Sequence, residues 1–306
     1  MIKRSRSLFS FIVSFSFLSL FSFNVSANAE IDIYGLPSAR KINELEISVA
    51  AFNDASAAYE LATIYQNVKD YKKAIKWYEK AHKMGDTDAA YDMGILYDDI
   101  LKDYKNAKKC YEIAHKIGNK NAAYALGLLY KQVLKDYENA KKWYEIGHNQ
   151  GDKDAAYALG ILYEDMLKDY PKAIEWYETA HNQEDKKAAY ALGILYEDML
   201  KDYPKAIEWY VIAHNQDDIN AAYALGLLYD DALKEHKNAL KWYEIALNQD
   251  KKHYRSMLKM GILYSEGKGV KKDIAKARTL LERAYEKATP GGELSRLVKQ
   301  ALTALD

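Results

Sequence analysis

The sequence predicts an all-α fold in which antiparallel helix pairs stack into a solenoid. Three observations lead there. A 33-residue unit recurs from Ala57 to about Ala288, its clearest copy being AAYALGILYEDMLKDYPKAIEWYETAHNQEDKK at 155–187. Glycine marks the register: Gly94, Gly127, Gly160, Gly193 and Gly226 are evenly spaced, and Gly261 follows after 35 residues. Within a copy, apolar residues recur at three- and four-residue spacing, which is one face of a helix. A fixed period of this size builds an array in which each unit touches its neighbours, so length alone is no guide to the number of domains.

The elements follow in order. Residues 1–29 read as a signal peptide: Lys3, Arg4 and Arg6 precede an apolar stretch from Leu8 to Phe23, and Ala27-Asn28-Ala29 offers small residues at a cleavage site. The stretch is short for a membrane span and rich in Ser. No cysteine stands near the cleavage site for a lipid anchor. The mature protein is therefore expected to begin at Glu30, to be exported to the periplasm or beyond, and to have no stable membrane insertion. Residues 30–52 form an N-terminal segment in which Lys41 to Phe52 reads as a capping helix. Seven repeats are expected over 53–291, and residues 292–306 carry a C-terminal capping helix, Glu293 to Leu305, after Pro290-Gly291-Gly292. Such caps keep stacked repeats soluble.

Each repeat divides into two helices. In the central copy the first runs from about Asp154 to Leu167, with Ala156, Leu159, Gly160, Tyr163 and Leu167 on one face. The second runs from about Tyr170 to Asn182, with Ala173, Trp176, Tyr177 and Ala180 as its apolar stripe. Asp169 is placed to cap the second helix. Its equivalents are Asp70, Asp103, Asp136 and Asp202, with Glu235 in the sixth unit. Pro171 and Pro204 fall in a first turn, where the missing N–H costs little. Gly85, Gly118 and Gly151 are expected to end second helices in a left-handed conformation, before the caps Asp86, Asn119 and Asp152. Glu184 and Asp217 replace that glycine, so their turns are expected to be strained or differently closed. Gly160 and Ala180 mark places where two helices approach closely.

Composition narrows the function. Six of the seven Phe lie before residue 30, which sets that segment apart from the Tyr-rich remainder. The whole chain is formally neutral, and without residues 1–29 it carries 41 basic against 44 acidic residues. With no strongly basic domain, nucleic acid is not an expected partner. The single cysteine, Cys110, stands where other repeats carry Trp77, Trp143, Trp176, Trp209 and Trp242, and reads as a small buried apolar residue. No nucleophile–base pair, phosphate-binding glycine loop or zinc-ligand spacing is present. No catalytic residue, cofactor or metal is expected.

The last unit, GILYSEGKGVKKDIAKA from Gly261 to Ala277, resembles the signature of Sel1-like repeats, relatives of the tetratricopeptide repeat. Its specific parts are the turn Gly267 to Val270, then Asp273 and Lys276-Ala277. The middle units match at Leu159-Gly160, Tyr163, Asp169, Ala173 and Trp176-Tyr177. They depart in the loop, where EDMLKDY is three residues shorter. The resemblance implies a right-handed superhelix of antiparallel helix pairs, with first helices lining the concave side. It also implies scaffold or adaptor work, often at a bacterial envelope. Some cysteine-rich relatives have been described as penicillin-binding or as β-lactamases, but their paired cysteines are absent here.

Repetition stacks like residues into rows. By the same resemblance, Tyr91, Tyr124, Tyr157, Tyr190 and Tyr223 point into the concave groove, with Ile161 and Ile194 one turn along. The acidic pairs Asp98-Asp99, Glu164-Asp165, Glu197-Asp198 and Asp230-Asp231, broken by Lys131-Gln132, read as a solvated rim at the end of the first helices. His82, His115, His148, His181 and His214 sit near the ends of second helices, where the helix dipole favours them and their rings can pack on the next repeat. The expected function is an exported, non-catalytic scaffold that holds a protein or peptide, basic and partly apolar, in its groove. The alternatives are a structural or regulatory envelope protein acting by self-association, and an envelope hydrolase.

Overall fold

The computed structural model describes residues 39–305. The signal peptide read at residues 1–29 lies outside them. Among the described residues every regular element is helical, and none of the helices is long and apolar enough to cross a membrane. The chain forms two compact units, one up to Met84 and one from Gly85 onward.

The first unit holds helices Ala39–Phe52, Ala55–Asn67 and Tyr71–Lys83. Asp54 caps the second of these by accepting from the Ala57 N–H and is itself held by the Ser48 hydroxyl. Those bonds keep its carboxyl below the usual range. Val49, Ala58, Leu61, Ala62, Ala74 and Tyr78 form the interior.

The second unit is an all-α solenoid of helix pairs. In its central repeat, the helix Lys153–Leu162 runs into a π-helical turn over Tyr163–Leu167, and the second helix covers Tyr170–Asn182. From Ala122–Leu129 onward, each first helix packs on its own second helix and on the second helix before it. One contiguous core of alanine, leucine and tyrosine runs from Ala107 to Leu228 as a result. The chain ends with Tyr254–Glu266, Ile274–Lys287 and Glu293–Thr303, the last burying Val298.

The turns carry the register. Asp103, Asp136, Asp169 and Asp202 accept from the N–H three residues on, as capping requires. Glu235 departs from this: its side chain makes no cap to the backbone and instead accepts from the Asn238 amide. The extra methylene carries its carboxylate past the helix end. Just before each cap, Lys102, Lys135, Lys168, Lys201 and Lys234 adopt left-handed backbone, with φ between 55° and 58°. This closes the widened π turn, and the Asp169 N–H reaches back to the Tyr163 carbonyl at 3.0 Å.

Four successive turns after second helices close alike, whether they hold glycine or not. Gly118, Gly151, Glu184 and Asp217 all have positive φ and donate to the carbonyl three residues back. Glu184 and Asp217 are thus strained and not differently closed, because the next residue is held identically: Asp152 reaches Gly147 and Asp185 reaches Ala180, each at 3.0 Å. In the last repeat, Gly269 lies against the backbone of His236 and Lys237, where an added Cβ would stand 2.5 Å from both. That close approach explains the glycine of the Gly-Lys-Gly-Val turn.

Candidate partner-binding site

The repeat is pinned by a glycine facing a tyrosine. A Cβ on Gly160 would lie 2.4–2.5 Å from the ring carbons of Tyr177, and Gly127, Gly193 and Gly226 meet Tyr144, Tyr210 and Tyr243 in the same way. Gly160 therefore admits an aromatic ring flat against its helix. Ala180 serves a different contact, packing with Ala156 and with Ala188 of the next repeat.

The hydroxyl of each buried second-helix tyrosine then needs an acceptor. Tyr177 donates to Glu164 at 2.6 Å and Tyr210 to Glu197 at 2.7 Å; Tyr111 and Tyr243 reach Asp98 and Asp230 at 3.4 and 3.3 Å. The rim reading needs correction here. Glu164 and Glu197 are half-buried and serve the interior, and burial raises both carboxyls above their ordinary value. Only the second acids, Asp99, Asp165, Asp198 and Asp231, are exposed, and Asp230 is buried. Tyr144 lies in the repeat that breaks the acidic row, with Lys131 in the register of the acid, and its buried hydroxyl has no hydrogen-bond partner.

The first-helix tyrosines stand half-buried, each with one side on its own repeat's buried tyrosine. Ring centroids are 5.8 Å apart for Tyr91–Tyr111, 5.7 Å for Tyr124–Tyr144, 5.5 Å for Tyr157–Tyr177, 5.6 Å for Tyr190–Tyr210 and 5.8 Å for Tyr223–Tyr243. The following repeat adds a residue at the start of its first helix: Lys187 lies 5.7 Å from the Tyr157 ring, and His253 4.8 Å from Tyr223. Ile161 and Ile194, also half-buried, continue the face. The structure thus forms the expected row and makes it part of the interface between repeats as well.

Charge gathers at one end of that row. The Tyr124 phenol is pushed up to about 12, first by burial and then by the fields of Asp154, Asp152, Asp185 and Tyr91. Tyr91 is raised by burial and then by Asp92, Asp152 and Asp99. Fields from three successive repeats therefore act on these two phenols. Asp165 and Asp198 lie eight residues beyond Tyr157 and Tyr190, roughly 12 Å along a helix axis. The acids whose fields reach Tyr124 are Asp152 and Asp185, which accept from the N–H groups at the start of their helices, and Asp154 in a first turn. The sequence assigned Asp152 only a capping task, although its repeat register relative to Tyr124 was visible.

The histidines pack as their helix-end position suggests. His115, His148, His181 and His214 stand edge-on to Trp143, Trp176, Trp209 and Trp242 of the following repeats, with centroids 5.1–5.5 Å apart. Cys110, at the tryptophan position of its own repeat, is buried.

Known proteins share this architecture. The Sel1 repeat model matches residues 87–119, 120–152, 153–185, 186–218, 219–251 and 255–288, and a tetratricopeptide repeat model matches 55–84. Among solved structures, c5321, a protective antigen of uropathogenic Escherichia coli displaying an SLR fold, is similar at 21% identity and TM-score 0.58, over 86% of this chain and 67% of that one. The C-terminal part of a TPR repeat-containing protein from Cytophaga hutchinsonii is similar at 17% identity and TM-score 0.59, over 81% and 99%. At these identities the likeness is one of fold. No curated protein matches the sequence. With six matched units filling most of its length, five built on a glycine–tyrosine pair and the last on Gly261 against Leu281, the chain belongs to the Sel1 repeat family.

Proposed function

We propose that this protein is an exported, non-catalytic scaffold that binds a peptide segment of another protein along the row Tyr91, Tyr124, Tyr157, Tyr190 and Tyr223. One observation carries the reading: five half-buried phenol rings are held in identical settings by five buried tyrosines beneath them. A row fixed in this way loses little side-chain freedom when a ligand docks, which is the advantage of preorganisation. Tyrosine also gives large contact area for few rotatable bonds, as interface hot spots do.

The ligand's chemistry follows from the fields around the row. Asp152, Asp154 and Asp185 act together on Tyr124, which favours a segment carrying Lys or Arg beside an apolar or aromatic residue. Ile161 and Ile194 offer the apolar contact. Asp165 and Asp198 attract such a segment from a distance and set its rate of approach. Export rests on the composition of residues 1–29.

Peptides selected from a random display library on the purified protein test this. The enriched sequences are expected to be basic and partly apolar. Tyr157→Ala combined with Tyr190→Ala should weaken a selected peptide at least ~10-fold while the helical signal persists. Unchanged affinity in that double variant discards the groove.

A further inference from the structure

Exposed apolar side chains recur on the same period as the core, and the interior explains none of them. Ile100 (43% exposed), Leu101, Leu134, Met166 (40%), Met199 (47%) and Leu200 all fall in the last turn of successive first helices. They form a stripe of rungs one repeat apart. The tyrosine row lies near the other end of those helices, so the stripe is a second surface.

Three of the four rungs share one make-up, and the Leu134 rung departs from it with Gln132 in the place of the acid. An exposed acid comes before the apolar pair, as in Asp99, Asp165 and Asp198, and an exposed lysine after it, as in Lys102, Lys168 and Lys201. The lysines are held in left-handed backbone, which is unfavourable for a non-glycine residue. The chain uses glycine for left-handed turns at Gly118, Gly151 and Gly267. It keeps lysine at five successive turns of the second unit, which points to a use for the side chain.

A partner for this stripe must repeat apolar groups at the rung spacing and carry both charges. A membrane surface of anionic lipid would meet the acids as well as the lysines and is disfavoured. The one surface in hand with the right period and both signs is the same stripe on another copy. We infer that two copies of this chain pair through the stripe, related by a two-fold axis running along it. The apolar row of one copy then meets the apolar row of the other. Acids preceding that row meet lysines following it, so the contact is complementary to itself. Four rungs at roughly 8–10 Å make a strip about 25–30 Å long, and with a width of about 20 Å each partner buries roughly 500–600 Å², the size of a weak, concentration-dependent contact.

The test is the mass of the purified protein in solution by light scattering, over a dilution series. The parent chain is expected to be a dimer at the concentrated end of the series. Met166→Glu with Met199→Glu should weaken pairing at least ~10-fold while helix content is retained. Zero-length carbodiimide cross-linking of a mixture of light and isotopically heavy protein should join Lys168 or Lys201 of one copy to Asp165 or Asp198 of another. The Tyr157→Ala, Tyr190→Ala variant should pair normally, which separates failure of the stripe from failure of the groove. A parent chain that is monomeric throughout overturns the inference. So does a dimer that survives the two glutamates without mixed cross-links.

Discussion

Gly160 and Tyr177 act as one part. An alanine at 160 would drive its Cβ into the ring of Tyr177, and the ring is fully buried with no room to withdraw. Gly160→Ala is expected to destabilise the protein by about 1–3 kcal/mol, read as a lowered midpoint in thermal unfolding. A midpoint equal to the parent's contradicts the packing account. The periodic glycine was plain in the sequence, but its partner was not. Periodicity gives a residue's face on a helix and is silent on which side chain fills the space across it. Tyr144 makes the complementary case. In the first unit, Gln66 accepts from the equivalent hydroxyl of Tyr78 at 3.0 Å. Lys131→Gln should give Tyr144 the same acceptor and add about 1 kcal/mol of stability. No gain in the denaturant midpoint would show that Tyr144 does not lack one.

The helices themselves were legible because caps, periodicity and glycine agree. The π turn was not, since its sequence, Tyr-Glu-Asp-Met-Leu, reads as ordinary helix. The lysine in left-handed backbone that closes it has no side-chain signal either. Glutamates 164 and 197 were misplaced for a related reason: in the widened turn they swing inward to the tyrosine hydroxyls. This has a consequence for pH. Burial raises both carboxyls above the ordinary 4.5, so just above that pH the folded chain binds more protons than the unfolded one. Stability from this source is complete below 4.5 and is lost as pH rises through the shifted values. Glu164→Gln with Glu197→Gln keeps both acceptors and removes the buried charge. The double variant should show a flatter fall in melting temperature from about pH 4 to 8, and melt higher than the parent at the upper end. Parallel curves would rule this out. The strained turns give a second test. Glu184→Gly should add about 0.5–1 kcal/mol, relief of left-handed strain outweighing the greater freedom of the unfolded chain; a lower midpoint would mean that the glutamate side chain itself holds the turn.

Across the second unit, repetition turns single contacts into rows. The buried tyrosines hold the half-buried ones, the histidines sit on the next repeat's tryptophans, and the exposed apolar residues line the ends of the first helices. The tyrosine row was legible from register alone. Its share in the interface between repeats was not, because that depends on the residue starting the next first helix, and this varies from Asp154 to Lys187 to His253. The acids at the row escaped notice because Asp152 already had a task as a cap and Asp185 had been given none. The most direct check is a crystal structure of the protein with a display-selected peptide bound. The peptide should lie across Tyr124, Tyr157 and Tyr190, with a basic side chain toward Asp152, Asp154 or Asp185. A peptide seated instead on the second helices, over Trp176 and Trp209, would contradict the proposed groove.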